Sequence, residues 1–401
     1  AAALTDPAAR PFGLALIIYP LLVRGVGVFA SIIGTWVVKG KDEGDFNPMR
    51  PINVGFWVSA IVAVIGFGIV NAVYLKNPTT GQPDFRFFFA TLTGIILALI
   101  IGWLTEHFTS TEKKPVIEIA NSTKTGTATM ILSGLAEGME SSVWALLAIC
   151  ATVFTSMAIF GGNLALSFYG IALSGLGLLT TTGFILAMDT YGPISDNANG
   201  IFEMSGALKE GGEDNPAHRI VAKLDAVGNT TKALTKGFAI ATAVIAATSL
   251  FASFIDEAGL VESGIQVNLP PVFIGLLIGA AVPVLFSSFA IRAVSRAAGL
   301  LVNEVRRQFR EIPGLMEGKN KPEYSRCVGI ATAAAQKELL GPGILAIFTP
   351  ILVAFGMGYR SPADGAMALG GYLAGAIVSG QIWAVFMANT GGAWDNAKKK
   401  I

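Results

Sequence analysis

The chain has 401 residues, of which 53% are hydrophobic and only 14% charged, with a net charge of +1 and a mean hydropathy of +0.61. A soluble domain of this length carries about 25% charged residues, so the composition excludes an ordinary soluble enzyme and points to a polytopic membrane protein. The balanced charge leaves no electrostatic footprint for nucleic acid.

About 20 apolar residues are needed to cross a bilayer. On that criterion nine spans are predicted, near 12–38, 52–75, 86–106, 129–159, 163–192, 228–255, 269–300, 327–358 and 364–394. The expected fold class is therefore all-α, a single transmembrane helical bundle over residues 1–401. The first segment, AAALTDPAARPFG, shows no charged n-region of a signal peptide. Arg24 lies deep in the first span and is read as snorkelling or as partnered by a helix outside this chain. His107 and His218 stand alone and are read as loop residues without a metal role. Cys150 and Cys327 have no CxxC spacing, which excludes a disulfide scaffold and a zinc ribbon. Glu137 and Glu140 open the fourth span and read as a helix end facing water.

The fifth span runs into MDTYGPISDNANGIFEM, Met188 to Met204. Asp189, Asp196 and Glu203 are seven residues apart, nearly two helical turns, so the three carboxylates share one edge. The sixth span opens with KLDAVGNTTKALTKGFAI, where Asp225, Asn229, Lys232 and Lys236 follow at intervals of four, three and four, and Thr235 borders the stripe. Arg292 and Arg296 mark the seventh helix emerging into water. The chain closes with NTGGAWDNAKKKI, in which Asp395, Lys398 and Lys399 stand at i, i+3 and i+4. Glycine-rich stretches such as SGLGLL and GGYLAGAIVSG permit close helix packing.

Basic residues concentrate in alternate loops: Lys39, Lys41 and Arg50, then Lys113, Lys114 and Lys124, then Lys209 and Arg219, then the cluster from Arg306 to Arg326. By the positive-inside rule these loops are cytoplasmic, and all three polar stripes fall on that side. Carboxylate and amide oxygens favour magnesium or calcium, and magnesium binds through one or two carboxylates plus phosphate oxygens. Lysines on the same faces would hold phosphate as point charges. Together they describe a magnesium–phosphate site at a membrane surface, although solvated helix caps and snorkelling lysines give the same residue types.

GPISDNANGIFEM, LDAVGNTTKALTKGFAI, NTGGAWDNAKK and GLLVNEVRRQFREIPGLMEGK resemble the membrane-integral pyrophosphatases, along essentially the whole chain. That resemblance implies a sixteen-helix, two-ring homodimer that hydrolyses inorganic pyrophosphate and pumps protons or sodium ions. The nine spans would be its seventh to fifteenth, with the N-terminal helices, the last helix and the water-orienting aspartates outside this chain, so the piece alone is expected to be inactive. By motif, Asp196, Asn229 and Asp395 would hold Mg2+. Lys398, Lys399, Asn229 and Lys236 would contact pyrophosphate, and Asp189, Glu203 and Asp225 would stand behind them. Lys232 and Thr235 match potassium-independent members, which resemble proton pumps, in a bacterial plasma membrane with the site facing the cytoplasm. Asn199 replaces a glycine of the family pattern, where the backbone would need positive φ. A secondary transporter that binds a phosphate-containing anion without cleaving it is the alternative.

Overall fold

The computed structural model describes residues 10–40, 46–77, 80–204 and 216–401, so Lys41 and Lys209 lie outside the described residues. The architecture is helical, and the described residues hold no strand beyond one bridge between Lys76 and Pro83. In chain order the helices are α1 (Arg10–Val37), α2 (Met49–Tyr74), α3 (Arg86–Thr109), a short α4 (Lys114–Ser122), α5 (Thr127–Ile159), α6 (Leu164–Leu178), α7 (Thr182–Met204), α8 (Pro216–Glu257), α9 (Pro270–Glu311), α10 (Tyr324–Glu338), α11 (Leu340–Met357) and α12 (Pro362–Ala397). Among the described residues eight spans are long and apolar enough to cross a bilayer, and a ninth forms if the bent pair α6 and α7 counts as one. The protein is a multi-pass membrane protein.

Burial is inverted relative to a soluble bundle. Val54, Trp57, Ile61, Ile65, Ile69 and Val73 form an exposed apolar stripe along α2, whereas Ser59 and Asn71 are buried on its inner face. Lipid solvates the apolar stripe, and the inner face packs against the bundle, with Ser59 Oγ and Asn71 Oδ1 buried without a hydrogen-bond partner. Asn71 Nδ2 donates to the Asp84 carbonyl at 3.1 Å.

By contact the chain divides into two compact units, residues 1–252 with 384–401, and residues 253–383. In the first unit the core gathers Phe56, Leu97, Ile101, Phe184, Leu234 and Phe238. α3 and α6 cross backbone to backbone: a Cβ on Gly94 would collide with the Ser174 carbonyl, and one on Gly177 with the Thr91 carbonyl. In the second unit α9 and α12 meet in the same way, the glycines of GGYLAGAIVSG lying against the α9 backbone at Val272 and Leu276. That is the close packing expected of those stretches.

The fifth span is one continuous element on hydropathy alone, yet it breaks at residues 179–181, where α6 and α7 meet at 46°. The reason is tertiary. Arg24 donates from Nη1 to the Leu179 carbonyl at 2.7 Å, and the Ser31 hydroxyl approaches the Thr180 carbonyl at 3.5 Å. The Leu179 carbonyl also accepts from the Thr182 N–H at 3.1 Å, and a guanidinium at a helix C-terminus adds a charged donor that complements the dipole. Arg24 thus has its partner inside this chain, rather than on a helix outside it.

Two smaller expectations change as well. His107 is not in a loop but in the last turn of α3, its ring stacked 5.8 Å from Trp103, and His218 lies in the first turn of α8. Glu140 accepts from Trp144 Nε1 at 3.2 Å along α5. Replacing Arg24 by leucine removes its charged hydrogen bond to the Leu179 carbonyl, which keeps its bond from the Thr182 N–H; a hydrogen bond to a charged group contributes about 2 kcal/mol. The expected outcome is a lower unfolding midpoint in detergent for the full-length Arg24→Leu protein, with Arg24→Lys between it and the parent.

Candidate functional site

The site lies in the first unit, where the ends of α7, α8 and α12 meet. α7 and α8 approach closely because two glycines face each other: a Cβ on Gly192 would stand 2.9 Å from the Gly228 carbonyl, and one on Gly228 would collide with Ser195 Oγ. Pro193 sits within α7; lacking an N–H, it leaves the Asp189 carbonyl without its helical donor. Tyr191 ties the two helices again, its hydroxyl donating to the Leu224 carbonyl at 3.0 Å.

Across this seam the carboxylates of α7 face the stripe on α8. The Lys232 ammonium lies 3.1 Å from Asp196 Oδ2 and 3.3 Å from Asn229 Oδ1. One helical turn further on, the Thr235 hydroxyl donates to Asp189 Oδ1 at 2.7 Å. The seven-residue spacing of Asp189 and Asp196 therefore registers with the three-residue spacing of Lys232 and Thr235 on the antiparallel neighbour. Glu203, third on the predicted edge, has its side chain outside the described residues.

Asp225 is 2% exposed and forms the deeper part of the site. Its Oδ2 is ion-paired with Lys399 and accepts from Asn199 Nδ2 at 3.0 Å, while Oδ1 is buried with no hydrogen-bond partner. Asn229, equally buried, donates from Nδ2 to Asn396 Oδ1 at 3.2 Å. Asn396 in turn donates from Nδ2 to the Thr109 carbonyl at 2.6 Å and the Ala226 carbonyl at 3.1 Å. The C-terminal turn is thus divided by face: Asn396 and Lys399 turn toward α8, while Asp395 and Lys398 are exposed and, among the described residues, outside this bonded network. Lys236 on α8 is likewise exposed.

Asn199 corrects one expectation. No non-glycine among the described residues has positive φ, and Asn199 is an ordinary helical residue of α7. Its amide is instead a partner for Asp225. Neither Asn199 nor Asn396 stood out in the sequence as a site residue. The available signal was position: each asparagine lies within a helical turn of a predicted carboxylate or lysine.

The two ion pairs differ in weight. Asp196 is half-exposed, so its pairing with Lys232 contributes on the order of 1 kcal/mol or less. Asp225 and Lys399 are largely removed from water, and removing one partner strands the other charge, a cost of about 3–5 kcal/mol.

Among the described residues no group of three or more His, Cys, Asp or Glu side chains converges as a metal cage. The donor set still fits magnesium in the way that ion binds with phosphate, through one or two protein oxygens and the remainder from ligand and water. The half-exposed Asp196 is such a donor, and the unpartnered Asp225 Oδ1 leaves unmet negative charge behind it. What the arrangement does chemically is place fixed ammonium groups beside hard oxygen ligands at the end of an apolar bundle.

Fold and site together define a multi-pass helical membrane protein with an ammonium-and-carboxylate site where three helix ends meet. Residues 1–401 match the family described as inorganic H+ pyrophosphatase, and the chain belongs to that family. It is 51% identical to the K(+)-insensitive pyrophosphate-energized proton pump of Chloroflexus aurantiacus, over 97% of this chain and 51% of that protein. With the protein of the same name from Streptomyces coelicolor the identity is 43%, over 97% of this chain and 51% of the relative. A protein of Clostridium tetani, provisionally named a K(+)-stimulated pyrophosphate-energized sodium pump, is also 43% identical, over 96% of this chain and 54% of its own length. The chain spans about half the length of the curated relatives it matches.

The buried pair gives a direct test. Asp225→Ala and Lys399→Met in the full-length protein should each lower stability by about 3 kcal/mol, and the double variant should lose less than their sum. Thermal unfolding in detergent measures this, and strict additivity would show that the pair is not coupled.

Proposed function

We propose that the full-length protein hydrolyses inorganic pyrophosphate in a Mg2+-dependent reaction and couples it to proton pumping out of the cytoplasm, without a requirement for potassium. The observation that carries this reading is the Lys232 ammonium held between Asp196 and Asn229. A monovalent cation beside a diphosphate offsets its negative charge; here the protein supplies that charge on a tether. A potassium ion cannot share the position that the ammonium already fills. Potassium is therefore both unnecessary and disfavoured. Thr235, bonded to Asp189, holds the adjoining turn of α8 in place.

In this reading Asp196, Asn229 and Asp395 present oxygens to Mg2+, and Lys398, Lys399 and Lys236 contact the phosphates, with Asp189, Glu203 and Asp225 behind them. Magnesium, when bound, neutralises the diphosphate and stabilises charge on the departing phosphate. The residues of this chain bind and orient: lysines fix the phosphates, carboxylates fix the cation, and the packed α7–α8 seam excludes water from their rear. Such positioning with preorganised charge is how phosphoryl transfer is accelerated. The basic loops support a site facing the cytoplasm, and in this reading the membrane is a bacterial plasma membrane and the functional particle a homodimer.

Membranes containing the full-length protein should release phosphate from pyrophosphate in the presence of Mg2+, and acidify the opposite compartment. Binding without phosphate release would favour a transporter instead. Activity should be indifferent to potassium. Lys232→Ala combined with Thr235→Gly should make it potassium-dependent, and a strong requirement in the parent protein would refute the assignment.

A further inference from the structure

The site depends on which way the Asn229 amide faces, and the surrounding hydrogen bonds decide that in one direction. Asn396 is fully buried, with two backbone carbonyls, of Thr109 and Ala226, against one end of its amide at 2.6 and 3.1 Å. Only an NH2 group satisfies two carbonyl oxygens; the reverse orientation would set oxygen against oxygen at both. The Thr109 carbonyl, in the last turn of α3, lacks a helical donor. Asn396 must therefore turn its Oδ1 toward α8, where it accepts from Asn229 Nδ2 at 3.2 Å. Once Nδ2 of Asn229 is committed, its Oδ1 has to face the opposite side, where it meets the Lys232 ammonium at 3.3 Å.

We infer that Asn396 is a positioning residue that orients the Asn229 amide, so that Asn229 presents an oxygen, and not an NH2 group, to the cation side of the site. The chain of contacts runs from the end of α3 through α12 to α8. It makes the cation-binding polarity of Asn229 a consequence of how three helix ends pack. Asn396 touches neither the cation nor the diphosphate in this scheme. It acts only through Asn229. The inference deepens the proposed diphosphate site and rests on it.

Without Asn396 the Asn229 amide would be held only by the Lys232 ammonium at its Oδ1, with Nδ2 unpaired, and losing such an outer-shell partner weakens metal affinity about tenfold or more. The test uses full-length protein in detergent, with thermal stabilisation by MgCl2 plus imidodiphosphate, a non-hydrolysable diphosphate, as the readout. Asn396→Ala and Asn229→Ala should each raise the half-saturating concentration about tenfold. The double variant should be no worse than Asn229→Ala alone, because Asn396 has no route to the site once the amide is gone. Additive losses in the double variant, or parent-like affinity in Asn396→Ala, would overturn the inference while leaving the site intact. A parent protein that the analogue does not stabilise would instead overturn the diphosphate site, and this inference with it.

Where Asn396→Ala does not fold, Asn396→Asp and Asn396→Ser replace it. The aspartate keeps an acceptor within reach of Asn229 Nδ2 and should retain parent-like affinity despite lower stability, whereas the shorter serine should lose affinity about tenfold. Equal loss in both would show that Asn396 supports packing alone.

Discussion

A charge withdrawn from water at the end of an apolar bundle is tolerated only when another group meets it, and the first unit is organised around that requirement. Asp225 is the deepest case. One of its oxygens is held by Lys399 and Asn199, and the other is left without a partner. Because Asp225 stands on α8 and its partners on α7 and on the turn that follows α12, the need to pair one buried carboxylate draws three helix ends together. Lys232 then bridges the more exposed margin, between Asp196 and Asn229.

The same unit uses backbone contact to bring those charges within reach. Gly192 and Gly228 remove the side chains that would hold α7 and α8 apart. Arg24 at the break between α6 and α7 frees α7 to take its own direction through the bundle. Charge pairing and close packing are thus one design: glycine permits the approach, and ion pairs and amide hydrogen bonds hold it. The donors that result are few and incomplete as a metal cage, which suits a cation that arrives with its phosphate ligand.

Family membership and the geometry of the site answer different questions. The relatives include one named as potassium-insensitive and one provisionally named as potassium-stimulated, at similar identity. Overall likeness therefore does not separate the two behaviours. In the proposed reading the discrimination falls on single positions, above all on Lys232, whose ammonium stands beside Asp196 and Asn229.

Much of the architecture could be read without coordinates. Runs of about 20 apolar residues can only be solvated by lipid or by other helices, so composition and periodicity determined an all-helical membrane bundle and its spans. Helical spacing likewise assigned Asp189, Asp196 and Glu203 to one edge, and Asp225, Asn229, Lys232 and Lys236 to a stripe bordered by Thr235. Other features were decided only by tertiary contact. The break at residues 179–181 requires Arg24, 155 positions away, and hydropathy does not register a hydrogen bond between distant segments. The helical, bonding role of Asn199 depends on Asp225 lying opposite it. The separation of Lys399 from Asp395 and Lys398 depends on which face of one short turn meets α8. Periodicity assigns a residue to a face of its own helix; what stands across from that face is set by the packing of helices remote in sequence, and at this site the partner determines the chemistry.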